Sequence, residues 1–148
     1  MSVQETTVRQ QTAAELYQQV QQFYARQMQL LDDGEVDAWA DTFTEDGVFA
    51  ANAQPEPTVG REAIVAAARK ATEQFAAQGI QRRHWLGMVS VTGQEGTTVT
   101  ARCYALVIET PRGGQSAIRV STLCEDVLEL GPAGPVVRRR DITRDDLV

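Results

Sequence analysis

The chain has 148 residues, of which 43% are hydrophobic and 23% charged, and its formal net charge at pH 7 is -6. This composition is typical of a soluble globular protein, and the length suits one domain with a single core. Nucleic acids and anionic membranes both favour a basic face, so the acidic balance argues against either partner.

The first eleven residues, MSVQETTVRQQ, form a polar segment that lacks the apolar run of a signal peptide. They predict a flexible tail at 1–11 before a single domain at 12–148. No stretch reaches the length of a membrane span, so no membrane partner is expected. The two cysteines, Cys103 and Cys124, show no metal-like spacing and are too few for a disulfide scaffold. A reduced, cytoplasmic setting is therefore expected.

Three helices are predicted in the first half of the chain. Thr12 and Glu15 have the spacing of a capping box, which marks a helix start. Apolar side chains then recur at helical spacing over 16–31, until Asp33-Gly34 ends the helix. A shorter apolar pattern over 36–43 predicts a second helix. The third runs from about Arg61 to Gln78 and buries Ile64, Val65, Ala68 and Phe75.

In the first half of the chain, a brief strand at 48–50 and a loop at 52–60 precede the third helix. The second half has the pattern of a β-sheet. Four later segments are rich in Val, Ile, Thr and Tyr, and short turns separate them, so they predict an antiparallel meander. These segments are 83–92, 97–109, 116–130 and 135–143.

Helices followed by a meander predict an α+β domain in which the helices cover one face of a curved, mainly antiparallel sheet. A sheet wrapped around the first helix encloses a cone, and an open cone suits a small-molecule ligand. The outer face of such a sheet is left apolar, with Trp85, Val89 and Val91 as candidates to be covered by a second copy. We therefore expect a homodimer.

His84 is the only histidine, and it opens a predicted strand in the stretch RRHWLGMV. Alternation along the strand gives His84, Leu86 and Met88 one face, which would place an imidazole at the edge of an apolar wall. An imidazole can accept or donate a proton near neutral pH, so His84 is a candidate general acid or base. The alternative is a structural histidine bonded to a backbone carbonyl.

Asp32 lies at the end of the first helix, where the helix dipole disfavours a negative charge. It directly follows Leu31, the last residue of the apolar stripe, so its carboxylate is placed to reach the mouth of the cone. The alternative is a solvated C-terminal turn.

Further side chains are candidates to bind a substrate. The ring of Tyr24 belongs to the buried helix stripe, and its hydroxyl is a candidate to line the cavity. For Tyr104, an inward and an outward orientation both stay open. Arg119, in mid-strand, could bind an enolate or carboxylate, although a sheet-surface cation is the commoner alternative. The apolar candidates are Trp39, Phe49, Leu86 and Met88.

Three segments, LLDDGEVDAWADTFTEDGVF, VGREAI and RRHWLGMVSV, resemble the nuclear transport factor 2-like superfamily. Within it, they are similar to the SnoaL-like polyketide cyclases and the scytalone dehydratase relatives. The characteristic pieces are the D-x-W-x-x-x-F-x-E-D-G block at 37–47, the G-R-E-x-I helix start at 60–64 and Arg83-His84. The resemblance spans residues 12–143 and implies a cone-shaped, cystatin-like α+β barrel and a dimer. The superfamily hosts many reactions and some pure binding proteins, so it indicates fold more than reaction.

Resemblance to the dehydratase branch implies an aspartate at the end of the first helix paired with a histidine that opens the first long strand. Asp32 and His84 occupy those places. That branch has a second histidine on the next strand, where this chain has Cys103 or Tyr104, which puts a two-histidine dehydration in doubt. A single-base mechanism stays open. Resemblance to the cyclases implies one acid or base in an apolar cone, with no metal and no organic cofactor.

We therefore predict a cofactor-free cyclase or dehydratase of secondary metabolism, such as antibiotic biosynthesis. It would act on an apolar or aromatic, polyketide-type small molecule, with His84 as general acid or base and Asp32 orienting it. One alternative is a non-catalytic binding or accessory subunit resembling the dioxygenase β subunit. Another is a ketosteroid isomerase-like enzyme, which needs an inward acid such as Asp141 acting alone.

Overall fold

A computed structural model describes residues 11–148. The predicted tail at 1–11 lies outside the described residues except for Gln11. Among the described residues, no helix is long and apolar enough to cross a membrane. The elements, in chain order, are α1 (Ala13–Asp32), α2 (Val36–Ala40), β1 (Phe43–Ala51), β2 (Thr58–Val59), α3 (Arg61–Ala77), β3 (Ile80–Glu95), β4 (Thr98–Pro111), β5 (Ala117–Gly131), β6 (Gly134–Arg144) and a final 3-10 turn (Asp145–Leu147).

The first helix begins and ends where the sequence predicts. The Thr12 hydroxyl accepts the backbone N–H of Glu15 at 3.1 Å, and the Glu15 carboxylate accepts that of Thr12 at 3.4 Å. These two bonds form the predicted capping box. After the helix, Gly34 adopts a φ of 81°, a left-handed conformation that a side chain would disfavour. The chain therefore turns sharply directly after Asp32 and Asp33.

The second helix is shorter than predicted. It ends at Ala40, and Phe43, which was expected on its apolar face, instead begins β1. The backbone N–H of Val137 donates to the Thr42 carbonyl at 2.7 Å, and Phe43 pairs with Val137 in parallel register. This pairing with a strand far along the chain outweighs the local helical spacing. The predicted loop at 52–60 likewise contains a two-residue strand, β2, paired with β1.

Within the described residues, six strands form one sheet in the order β2-β1-β6-β5-β4-β3. The predicted meander is confirmed, since the consecutive strands from β3 to β6 pair antiparallel with one another. Only the pairing of β1 with β6 is parallel. The helices lie on one side, with α1 against β3 and β6 and α3 against β1 and β3. The sheet and helices therefore confirm the predicted α+β class.

The core lies between α1 and the inner face of the sheet. Its largest fully buried apolar side chains include Val20, Phe43, Val99 and Leu128. Burying each such side chain stabilises the fold by roughly 1.5 to 3 kcal/mol relative to leaving it exposed. The core fills only part of the space that the elements enclose, and the remainder is a cavity.

Candidate active site

A cavity of about 950 Å³ opens between the helices and the concave sheet. This volume is at the upper end of the range for small-molecule sites. The inward face of α3 explains why the space stays open, because Ala67, Ala68 and Ala71 are too short to fill it. Ile64 is buried as predicted, whereas Val65, Ala68 and Phe75 are only partly buried. The apolar lining also includes Met28, Leu31, Trp39, Phe49, Leu86, Ala105 and Val107.

Asp32 and His84 meet on the wall of this cavity. Asp32 Oδ1 lies 2.6 Å from His84 Nδ1, and Asp32 Oδ2 accepts the backbone N–H of His84 at 3.0 Å. One carboxylate thus holds both the ring and the backbone of the histidine. Both residues line the cavity, and Asp32 is almost fully shielded from solvent.

The backbone on both sides of this pair explains how residues 52 positions apart come together. Asp32 is the last residue of α1, and β3 begins at Ile80, directly after Gly79, whose φ is 67°. The Gln81 side-chain amide donates to the Asp32 carbonyl at 3.4 Å, which ties the start of the strand to the end of the helix. The helix end therefore aims its carboxylate at the first inward positions of β3.

This geometry leaves one imidazole nitrogen for chemistry. When Nδ1–H donates to Asp32, the tautomer has its lone pair on Nε2. Nε2 of His84 has no hydrogen-bond partner in the part of the chain that the structure describes. An imidazole in this state can accept a proton, and the neighbouring carboxylate then stabilises the positive charge.

Three of the proposed substrate contacts, Trp39, Phe49 and Leu86, line the cavity. Met88 does not, because its side chain is 79% exposed. The β3–β4 pairing shifts register between Gly87 and Ser90, and Met88 has a φ of 52° inside this bulge. The bulge reverses the alternation, so Val89 faces the core and Met88 faces solvent. The prediction that Met88 shares the face of His84 is wrong.

Tyr104 and Arg119 also lie away from the cavity. On β4, Cys103 and Ala105 are buried, so alternation turns Tyr104 outward and leaves it 53% exposed. On β5, Val120 lines the cavity and Arg119 is exposed. Neither side chain is placed to bind a ligand there, and these two predicted contacts are corrected.

Tyr24 is buried as predicted, but its hydroxyl does not line the cavity. It donates to Asp126 Oδ2 at 2.6 Å. Arg140 binds the same carboxylate through Nε at 2.9 Å and Nη2 at 2.8 Å, and Nη2 also donates to Gln27. Burial and the charge of Asp126 raise the pKa of Tyr24, so the phenol stays protonated. Tyr24 therefore stabilises the fold as part of a buried polar cluster.

The strand beside His84 presents an apolar surface. His84 pairs with Val107 and Leu86 with Ala105, and both partners line the cavity. The position beside His84 on the next strand is thus Val107, rather than Cys103 or Tyr104 as the sequence suggested. Asp141, the acid considered for an isomerase, does not line this cavity and pairs with Arg139 at 2.8 Å. Among the described residues, no three His, Cys, Asp or Glu side chains form a group that could hold a metal ion.

Four arginines of the lining were not proposed as ligand contacts from the sequence: Arg82, Arg112, Arg140 and Arg144. Two of them lie beside groups already described. Arg82 lies two positions before His84 on the same face of β3, and strand alternation from His84 would have pointed to it. Arg140 lies at the buried end, where burial opposes its charge but Asp126 raises its pKa well above the usual value. It belongs to the run Arg138-Arg139-Arg140, in which alternation alone does not say which member faces in.

Comparison with known proteins agrees with this fold. The SnoaL-like domain model matches residues 12–141. The chain belongs to the SnoaL-like family. This SnoaL-like chain is 38% identical to a protein from Catenulispora acidiphila solved in complex with S-DNPA, with 90% of this chain and 96% of that chain covered and a TM-score of 0.79.

Two further solved structures extend the comparison. The SnoaL-like chain is 35% identical to Aln2 from a Streptomyces species, with 93% and 96% of the two chains covered and a TM-score of 0.84. It is 28% identical to an NTF2-like protein with a cystatin-like fold from Novosphingobium aromaticivorans, with 90% and 84% covered and a TM-score of 0.77. The expected NTF2-like, cystatin-like fold is therefore confirmed. A search of curated protein sequences finds no match.

Proposed function

We propose that this SnoaL-like protein is a cofactor-independent cyclase or dehydratase of secondary metabolism, acting in the cytoplasm on an aromatic, polyketide-type intermediate. The Asp32–His84 pair on the wall of a large, mostly apolar cavity carries this proposal. The relative from Catenulispora acidiphila, solved in complex with S-DNPA, supports a small-molecule role for the cavity.

The chemistry follows from the orientation of His84. Nε2 removes a proton from a carbon next to a carbonyl, and Asp32 stabilises the resulting imidazolium. A polyketide needs no further activation, because its carbonyl groups stabilise the enolate. The enolate carbon then attacks a second carbonyl, a carbon–carbon bond forms, and the imidazolium returns the proton to the new alkoxide.

Dehydration uses the same imidazole in sequence. Nε2 removes the remaining proton beside the carbonyl, and the imidazolium protonates the hydroxyl group as it leaves as water. Val107 and Ala105 place no second base beside His84, so one residue serves as both base and acid. The apolar side chains beside His84 reduce its contact with water, which would otherwise compete for the proton.

Turnover by a His84→Ala variant tests the proposal. Purified protein is incubated with an aryl 1,3,5-triketone, which can cyclise and lose water to give an absorbing phenol. The variant should keep its circular dichroism spectrum and lose roughly a hundredfold or more in rate, the lower range for general acid–base catalysis. Asp37→Asn, a change at an exposed carboxylate paired with Arg69, is the control and should leave the rate unchanged. If wild-type protein binds the triketone but converts it no faster than the reaction without protein, a non-catalytic binding protein is favoured instead.

We also propose a homodimer formed through the outer face of the sheet. Trp85 is 65% exposed there, and Tyr104 and Ile118 are exposed on the neighbouring strands. Exposed apolar patches of this kind are typical of protein interfaces. Val89 and Val91 were also expected on this face, but Val89 belongs to the core and Val91 packs against it, because of the bulge at Met88.

A further inference from the structure

The inward face of α3 has a gap in its middle. The α3 side chains that line the cavity lie at helical spacing and are Ile64, Ala67, Ala68, Ala71, Thr72, Phe75 and Ala76. The large side chains of Ile64 and Phe75 lie near the two ends, and only alanine and threonine line the cavity between them. The segment 67–72 spans about 7.5 Å at the helical rise of about 1.5 Å per residue. The middle of the helix therefore leaves open a length that longer apolar side chains would fill.

The space beside this gap is larger than a one-ring ligand needs. The helix packs against β1 and β3, and the sheet wall next to His84 consists of Leu86, Ala105 and Val107. A cavity of roughly 150 Å³ is enough to bind benzene. A one-ring ligand would therefore leave most of the 950 Å³ unfilled and would lose contact with part of the lining.

A buried donor near the inner end of α3 lacks an acceptor. Trp39 lines the cavity, is only 5% exposed and belongs to the same buried cluster as Ile64. Its Nε1 atom makes no hydrogen bond with any described residue. Buried donors nearly always have an acceptor, which an oxygen atom of a ligand would supply here. We therefore expect a polar group of the ligand near Trp39, with its rings along the alanines toward Phe75.

We propose that Ala68 and Ala71 are specificity-determining residues, which give the cavity room for a ligand of two or more fused rings and a preference for it over a one-ring ligand. Each further ring carbon that leaves water on binding adds apolar contact with the two walls. A leucine at either position would occupy the space of the second ring and leave room for one ring elsewhere in the cavity. This inference rests on the proposed function, because it takes the cavity as the substrate site.

Helix propensity offers a competing explanation for the alanines. Alanine favours a helix wherever it lies, and Ala63 and Ala66 are exposed on the other side of α3. Leucine is almost as good a helix former. If propensity alone explained Ala71, the change Ala71→Leu would therefore leave ligand binding unaffected. The two explanations differ in the selectivity of the variant for ligand size.

Equilibrium binding of two ketones tests the proposal. The probes are acetophenone and 2-acetonaphthone, which carry the same acetyl oxygen and differ by one fused ring, measured by calorimetry on the full chain. Wild-type protein should bind 2-acetonaphthone at least roughly tenfold more tightly, because the added ring carbons leave water. Ala71→Leu and Ala68→Leu should each lower this ratio to less than about threefold by weakening the binding of 2-acetonaphthone alone. Ala66→Leu, the same change on the exposed side of the helix, should leave the ratio unchanged.

Several results would overturn the inference. A wild-type ratio near one, or no binding of either ketone at millimolar concentration, would remove the size preference. A ratio that survives in both Ala71→Leu and Ala68→Leu would show that bulk at these positions does not limit the ligand. Equal weakening of both ketones by variants with an unchanged circular dichroism spectrum would also contradict size selection. These measurements need no turnover, so His84→Ala should keep the wild-type ratio whether or not the protein is an enzyme.

Discussion

Replacing Tyr24 with phenylalanine separates a structural from a ligand-binding tyrosine. The hydroxyl donates to Asp126 Oδ2 at 2.6 Å inside the core, and the change removes one oxygen atom without enlarging the side chain. Asp126 keeps both bonds to Arg140, so no buried charge loses its only partner. The variant should fold, with lower stability and an unchanged cavity.

The loss of stability in Tyr24→Phe follows from the kind of hydrogen bond that the hydroxyl makes. A buried hydrogen bond to a charged group contributes about 1.5 to 3 kcal/mol, a large part of the roughly 5 to 15 kcal/mol by which domains are stable. With an m-value of about 2 kcal/mol per molar urea, the unfolding midpoint should fall by about 0.7 to 1.5 M. Tyr104→Phe, at an exposed tyrosine, should change the free energy of unfolding by less than about 0.5 kcal/mol.

The difference in unfolding free energy between wild type and Tyr24→Phe should depend on pH, which gives a second check. Burial and the charge of Asp126 raise the folded-state pKa of Tyr24 above the usual 10.0. Its contribution is therefore complete below pH 10 and is lost as the pH rises through the raised folded-state value. The stability gap between wild type and Tyr24→Phe should stay constant below pH 10 and narrow above it. Equal urea midpoints for the two proteins at pH 7, together with weaker ligand binding by the variant, would place the hydroxyl in the cavity and refute the reasoning.

Three further predictions concern the rest of the fold. Arg140→Met leaves the buried carboxylate of Asp126 without its cation and should cost roughly 3 to 5 kcal/mol by urea unfolding; a loss under 1 kcal/mol would contradict the paired arrangement. Thr12→Ala removes the cap of α1 and should cost about 1 kcal/mol, with no loss expected if that helix end frays freely. Trp85→Glu should convert a dimer to a monomer in light scattering without unfolding it, and an unchanged mass would exclude this face as the interface.

Helices and strands could be predicted from the sequence where a capping motif or a hydrophobic period extends over many consecutive residues. The capping box at Thr12 and the apolar period after it predict α1 closely, and turn-separated runs of Val, Ile and Thr predict β3 to β6. The start of β1 could not be predicted in this way. Its first residue, Phe43, fits a helical spacing with Trp39 and Ala40, and only the pairing with Val137 makes it a strand.

The site was predicted where the backbone places a residue and missed where a side chain depends on distant partners. Asp32 and His84 meet because a helix end and a strand start converge. The bulge at Met88 reverses the alternation that the sequence implies, and Gly87, a glycine inside a strand pattern, is its one local sign. The burial of Tyr24 was predicted correctly, but its partner Asp126 lies 102 residues away in the sequence, so no local pattern could predict the hydrogen bond.

The central claim is that His84, held by Asp32, acts as a base on carbon in the cavity. The most direct measurement is the rate at which the protein opens 5-nitrobenzisoxazole, a small aromatic probe whose ring opens once a base removes its C–H proton. Wild-type protein should accelerate this reaction, and His84→Ala, with its fold intact, should lose that acceleration by roughly a hundredfold or more. Equal rates for the folded wild-type and variant proteins would contradict the claim.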